Sequence, residues 1–232
     1  RPFLRFSEIA ARAGVLADWR PRVLEDGRPL GEPFENWLVG APGMSTLVRP
    51  LTRNVDLQSG VAVHELLQGQ RGWELQTDSG RPNKVFNAIV VAVPAPQAVS
   101  LLGHHGRAFR HLTEVRMAPC WSVMMAFERP LPVAGDAYRW TRGPLNWAAC
   151  NSTKSGRPAE PQAWVVHAAP QWSREHIEAD AREAAGLLLH ELAEALGCEL
   201  PTPVHLEAHR WRHALVEQPL GLPCLIDEEI AA

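Results

Sequence analysis

Three histidines, His205, His209 and His213, recur at intervals of four, a spacing that on a helix would line up metal ligands. The flanking residues point elsewhere: Pro201 and Pro203 lead in, and Val204-His205-Leu206-Glu207-Ala208 looks extended. On a strand, His205, Glu207, His209, Trp211 and His213 share one face. That face suits either a polar-aromatic pocket wall or an ordinary half-buried strand, and no metal site is expected. A second group, His104, His105 and His111 beside Arg107 and Arg110, lies in a loop-helix segment and reads as solvated surface. Gly40 and Gly43 could let a backbone approach a phosphate, although a Pro-Gly turn explains them equally well. Trp121, Trp140, Trp147 and Trp164 fall within or near strand patterns, where a single tryptophan is more often core than cofactor wall. The sequence has no GxGxxG after a strand, no GxxxxGK(S/T), no GxSxG and no HExxH. Nothing here independently binds a dinucleotide or activates a serine, which disfavours hydrolase and kinase chemistry.

The elements that must carry these residues alternate between two patterns. Phe3, Phe6, Ile9, Ala10 and Ala13 keep helical spacing, with Gly14 placed to end the helix. A Pro/Gly-rich connector through Pro21, Gly27, Pro29, Gly31 and Pro33 precedes Asn36-Trp37-Leu38-Val39 and the turn Gly40 to Ser45, then a short apolar helix around Thr46 to Leu51. The next fifty residues read as β: Val55, Leu57, Val61, Val63 and Leu66, then Trp73 to Thr77 between Gly-containing turns. Val85 to Val93 (VFNAIVVAV) is a near-continuous apolar run closed by Pro94, which predicts a strand buried on both faces. Further strands are expected near 115–127, 138–150, 163–168 and 203–212. One long helix interrupts them, capped by Ser173, with Glu175 and Glu178 near its positive end and Gly197 after its last turn. Its apolar residues Ile177, Ala181, Ala184, Leu188, Leu192 and Leu196 keep steps of three and four. The fold class expected is α+β, an antiparallel sheet with a covering helix plus a β-meander.

Composition narrows the functions. At 232 residues, 46% hydrophobic and 21% charged, the chain can bury a core of ordinary globular composition. A net charge of -3 with scattered basic residues gives no footprint for nucleic acid or for an anionic membrane. No apolar run approaches the ~20 residues of a membrane span. Cys120, Cys150, Cys198 and Cys224 are widely spaced with no CxxC pair, as in a cytoplasmic protein with free thiols. Tryptophan occurs nine times and tyrosine once, at Tyr138, and such flat aromatic surface suits either a planar ligand or a core. The sequence opens at Arg1 directly in a helical pattern and stops at Ile230-Ala231-Ala232 without a cap, so both ends are expected to lie inside a longer protein.

Several segments, in order and spacing, resemble one family. They are Trp37-Leu38-Val39-Gly40-Ala41-Pro42-Gly43-Met44-Ser45, the segment with Val61, and Val90-Val91-Ala92-Val93-Pro94-Ala95-Pro96-Gln97. Met117-Ala118-Pro119-Cys120-Trp121, Leu145-Asn146-Trp147, Trp164-Val165-Val166-His167, Gln171-Trp172-Ser173 and Ala208-His209-Arg210-Trp211-Arg212-His213 follow. Together they resemble the middle of the renalase-like branch of the flavin-containing amine oxidases.

That resemblance implies a flavoenzyme whose FAD and substrate domains interleave: 1–39 and 103–215 in the substrate domain, 40–102 in the FAD domain with its meander, and 216–232 returning toward the flavin. It implies cofactor contacts at Gly43, Met44, Val61, Ala92, Val93 and Pro94, catalytic roles for His167, Trp211 and His213, and substrate contacts at Trp147, His209 and Arg212. The reaction implied is hydride transfer from a reduced dihydronicotinamide or an amine to FAD, followed by reoxidation by oxygen to hydrogen peroxide. The family's leading GxGxxG unit and its closing Gly-Asp segment have no counterpart here. The chain alone is therefore expected not to hold FAD, to be inactive by itself, and to self-associate through open strand edges. The rival reading is a non-catalytic remnant that binds a partner or planar ligand without flavin.

Overall fold

The computed structural model describes residues 2–31, 37–82 and 84–226. Pro33, Asn36 and the end of the 216–232 segment fall outside these residues. In chain order the elements are α1 (Pro2–Arg12), β1 (Leu16–Trp19), β2 (Val23–Glu25), β3 (Arg28–Pro29), β4 (Trp37–Gly40) and α2 (Ser45–Val48). Then come β5 (Val63–Gly69), β6 (Gly72–Thr77), α3 (Ala95–Leu102), β7 (Arg116–Phe127), β8 (Ala137–Arg139) and β9 (Leu145–Cys150). The series closes with β10 (Gln162–Ala168), α4 (Pro170–Glu175), α5 (Ala181–Leu196) and β11 (His205–Gln218). The chain divides into two compact units, one of Arg1–Val55 with Pro119–Arg212, the other of Asp56–Ala118 with His213–Ala232.

The first unit is built on a seven-stranded sheet in the order β11-β7-β10-β9-β8-β2-β3. It is mixed, because β2 runs parallel to β8, while β7, β10, β9 and β8 are antiparallel neighbours. Period-two alternation decides what each face does. Trp121, Val123, Met125 and Phe127 of β7, with Trp164 and Val166 of β10, are buried on one face. Ala184, Ala185, Leu188 and Leu192 of α5 cover that face. Each such large side chain contributes about 1.5–3 kcal/mol of transfer free energy. The opposite face packs at one end against the β1–β4 pair through Trp19, Val23, Val39, Ala137 and Ala149.

The long helix starts later than its sequence suggests. Asp180, not Ser173, caps it, its carboxylate accepting the Arg182 N–H at 2.8 Å. Ser173 lies inside the separate helix α4, fully buried, and its hydroxyl accepts the main-chain N–H of Trp121 at 3.1 Å. A serine whose oxygen already holds a strand amide is not free to cap. Gly197 does end α5, in the left-handed conformation at φ 65°. The single strand expected over 138–150 is two, β8 and β9, separated by a turn through Arg142-Gly143-Pro144. β11 is extended, so His205, His209 and His213 do not stack along a helix.

In the second unit, β5 and β6 form a hairpin, and Phe86 bridges Trp73. The strand expected over Val85–Val93 is not formed beyond that bridge. Val90 is 92% exposed and Val93 44%. An apolar run becomes a strand only when neighbouring strands supply its hydrogen bonds, and among the described residues none does. The residues from Asp56 to Ala62 are likewise outside any strand.

Candidate functional site

Three strands place side chains in one row on the face of the first unit's sheet opposite α5. His167 of β10 is the register partner of Ser122 on β7 and of Trp147 on β9. Directly opposed residues in antiparallel ladders hold their Cβ atoms about 4.5–5.5 Å apart, so the three line up across the sheet. Immediately after His167 the β10–β9 register shifts, and the pairing resumes as Ala168 with Leu145. The local break falls beside the one imidazole in the row.

Aromatic rings extend the row. Trp37, at the start of β4, lies with its ring centroid 5.6 Å from that of Trp147, at 31°. Trp19 of β1 meets Trp37 edge-on at 5.5 Å and 61°. The Trp19 indole N–H donates to the Thr153 hydroxyl at 3.1 Å, which fixes this wall to the turn after β9. From that turn Lys154 reaches back, its Nζ 4.8 Å from the Trp19 centroid, donating to Asn151 Oδ1 at 2.8 Å. Such a cation over an indole face is attracted by the ring's negative quadrupole. Arg157 donates to the Gly40 carbonyl at 3.3 Å, and a Cβ on Gly43 would come within 3.3 Å of its Nη1. The bare Gly43 thus leaves room for the guanidinium.

The site is electropositive and part-dry. Burial, with the Lys154 charge nearby, holds the His167 imidazole below its usual range, so the ring is neutral near pH 7. Burial, with Arg157 nearby, also lowers the Lys154 ammonium. Ser122 is buried, and its hydroxyl has the Cys120 thiol at 3.9 Å. Burial pushes the Cys120 and Cys150 thiols up, away from the reactive thiolate. None of the row's side chains is a carboxylate.

The residues expected from sequence are distributed as follows. His167 and Trp147 stand side by side in the row. Gly43 and Met44 lie in the turn beneath Arg157, where Met44 Sδ accepts the Gly40 N–H at 3.1 Å. His209, Trp211 and Arg212 are on β11, at the sheet edge two places from β10. His209 and Trp211 share a face, rings edge-on at 4.5 Å, with Trp211 54% exposed. The other face of β11 is structural: Arg212 forms a two-pronged ion pair with Glu178 at 2.8 and 3.0 Å, and Arg210 sits 5.5 Å over the Trp121 ring. His213, Val61, Ala92, Val93 and Pro94 belong to the second unit. There Val61 and Ala92 are exposed, Pro94 precedes the first turn of α3, and Val93 lines an apolar cavity of about 770 Å³ with Trp73 and Phe109.

Sequence reasoning did not single out Ser122, Trp19, Lys154 or Arg157 for the site. One signal was available, since Lys154 is one of only two lysines in the sequence, the other being Lys84.

The first unit is a mixed α+β partial fold, its sheet covered by helix α5 on one face and carrying Trp37 and Trp147 packed against a small core cluster on the other. The chain belongs to the flavin containing amine oxidoreductase family, whose profile matches residues 17–220. Its fold is similar to that of a protein assigned as a protoporphyrinogen oxidase from Exiguobacterium sp. 255-15 (TM-score 0.65, 18% identity, 82% of this chain and 43% of that one). It is also similar to an oxidoreductase from Methanosarcina mazei (TM-score 0.53, 14% identity, 76% and 46%). A putrescine oxidase redesigned in its cofactor binding matches as well (TM-score 0.54, 14% identity, 76% and 40%). The chain spans less than half the length of each of these structures. Among the described residues no helix is long and apolar enough to cross a membrane.

Proposed function

We propose that this chain is the substrate-facing part of a renalase-like, FAD-dependent oxidase. The reaction is oxidation of a reduced dihydronicotinamide or an amine, with oxygen returned as hydrogen peroxide, in the cytoplasm. The observation that carries the reading is the Ser122–His167–Trp147 row with the tilted Trp37 ring packed beside it, inside a chain whose family contains flavin.

The residues present fit FAD in part. The exposed backbone near Val61 and the Ala92-Val93-Pro94 turn are open to an adenosine or an isoalloxazine edge. A diphosphate cradle is not among them, because Pro94 caps α3 and proline also occupies its first turn, where N–H donors would be needed. When bound, the flavin supplies the hydride acceptor. The chain's own residues hold the donor. The Trp37 and Trp147 faces take a planar ring, neutral His167 and the Ser122 hydroxyl offer hydrogen bonds at its edge, and α4 and α5 back the sheet that fixes all of them. A dihydronicotinamide gives up hydride without a base first removing a proton, which agrees with a row free of carboxylates.

The test is spectroscopic. Expressed from the full open reading frame of its gene, the protein should keep flavin absorbance through desalting. Anaerobic addition of a dihydronicotinamide or an amine should bleach it, and air should restore it with release of hydrogen peroxide. The 232-residue chain alone should lose added FAD on desalting. Failure of every dihydronicotinamide and amine to bleach a flavin-loaded protein would overturn the proposal, and a flavin-free full-length protein would favour the non-catalytic binding module.

A further inference from the structure

Two cationic side chains sit beside these tryptophans with no counter-charge among the described residues. Lys154 and Arg157 are both half-buried, and among the described residues no carboxylate lies within ion-pair distance of either. What they do contact is neutral: the Trp19 ring and Asn151 amide oxygen for Lys154, the Gly40 carbonyl for Arg157. The Arg157 Nε is buried with no hydrogen-bond partner. A buried donor or charge left unpaired costs free energy that an arriving anion can relieve. An arriving ammonium would instead add a third positive charge to the same part-dry space.

We infer that the Trp37–Trp147 wall takes a planar substrate bearing a phosphate or carboxylate, with Lys154 and Arg157 binding that anion. The two cations favour an anionic planar ring over a protonated amine. The identity of the reaction still rests on the oxidase reading, whereas the binding selectivity belongs to the first unit's own residues. Arg157 also holds the Gly40 turn, so Lys154 is the cleaner position to change.

Tryptophan emission overlaps dihydronicotinamide absorption, so binding to the 232-residue chain can be read by quenching. Four probes separate the cases: reduced nicotinamide mononucleotide for phosphate, 1-(4-carboxybenzyl)-1,4-dihydronicotinamide for carboxylate, neutral 1-benzyl-1,4-dihydronicotinamide, and putrescine as a competing dication. At least one anionic probe should bind about tenfold more tightly than the neutral one, an advantage that Lys154→Gln removes, Lys154→Arg keeps, and added salt weakens. Whichever anion binds better identifies the group.

Equal binding of neutral and anionic probes, no binding of either anion, an advantage that survives Lys154→Gln, or displacement by putrescine would each overturn the inference. Should Lys154→Gln fail to fold by circular dichroism, the wild-type ratio of anionic to neutral affinity and its salt dependence decide. Bleaching of the flavin in the full-length protein by a donor that quenches without charge preference would retire this inference and leave the oxidase reading intact. Anion-selective quenching without flavin reduction would do the reverse.

Discussion

His167 stands directly across from Trp147 in the β10–β9 ladder, and the register slips at the next residue, Ala168. The pair puts an imidazole and an indole side by side on the sheet face that α5 does not cover. Burial and Lys154 together keep that imidazole neutral, so its contribution to the site is hydrogen bonding and shape rather than charge.

The His167 ring should titrate below the ordinary 6.5. Lys154→Gln should move its midpoint upward, toward 6.5, by removing the second cause of the shift. Because the folded-state value is depressed, the unfolded chain binds the proton first. Stability linked to His167 is therefore fully present above 6.5 and is lost as pH falls below that value toward the folded midpoint. Two-dimensional NMR of ring protons in both chains checks this, and an unshifted His167 midpoint in Lys154→Gln would show that the lysine does not act on it.

Ser173→Ala should destabilise the first unit by about 1–3 kcal/mol. The hydroxyl accepts the Trp121 N–H where neither group reaches water, and alanine leaves that amide unsatisfied. Chemical denaturation of the two chains measures the difference; a change within error would mean that another acceptor takes over.

Gly197→Ala should cost about 1 kcal/mol, arising from backbone conformation alone. The residue has φ 65°, and an added Cβ there would meet nothing within 4 Å. Thermal or urea unfolding reads the loss. A substantially larger effect would point to a steric clash that this geometry does not contain.

Val90→Lys should reduce self-association of the isolated chain. Val90, Val93 and Val85 present an exposed apolar run, of the kind that pairs with another chain when its backbone has no strand neighbour. Sedimentation velocity of wild type and variant over a concentration series gives the comparison. A monomeric wild type at every concentration would remove the basis for this expectation.

Patterns that depend only on neighbours along the chain were legible in the sequence. The steps of four from Ala184 to Leu188 to Leu192, with Gly197 beyond them, specify α5, because the helix period is a local property of the backbone. The scattered Trp, His and Pro-Gly segments pointed to the flavin-containing amine oxidases, and the profile over residues 17–220 shows that broader family. Tertiary structure decided the rest, since hydrogen-bond partners and counter-charges come from residues far apart in sequence. Ser173 was taken from capping duty by an amide 52 residues away. Val85–Val93 had the composition of a buried strand, but beyond the Phe86–Trp73 bridge it has no strand neighbour among the described residues. Ser122, Trp37 and Lys154 joined His167 and Trp147 only because strand pairing and the turn after β9 bring them to one face, a juxtaposition that no local spacing encodes.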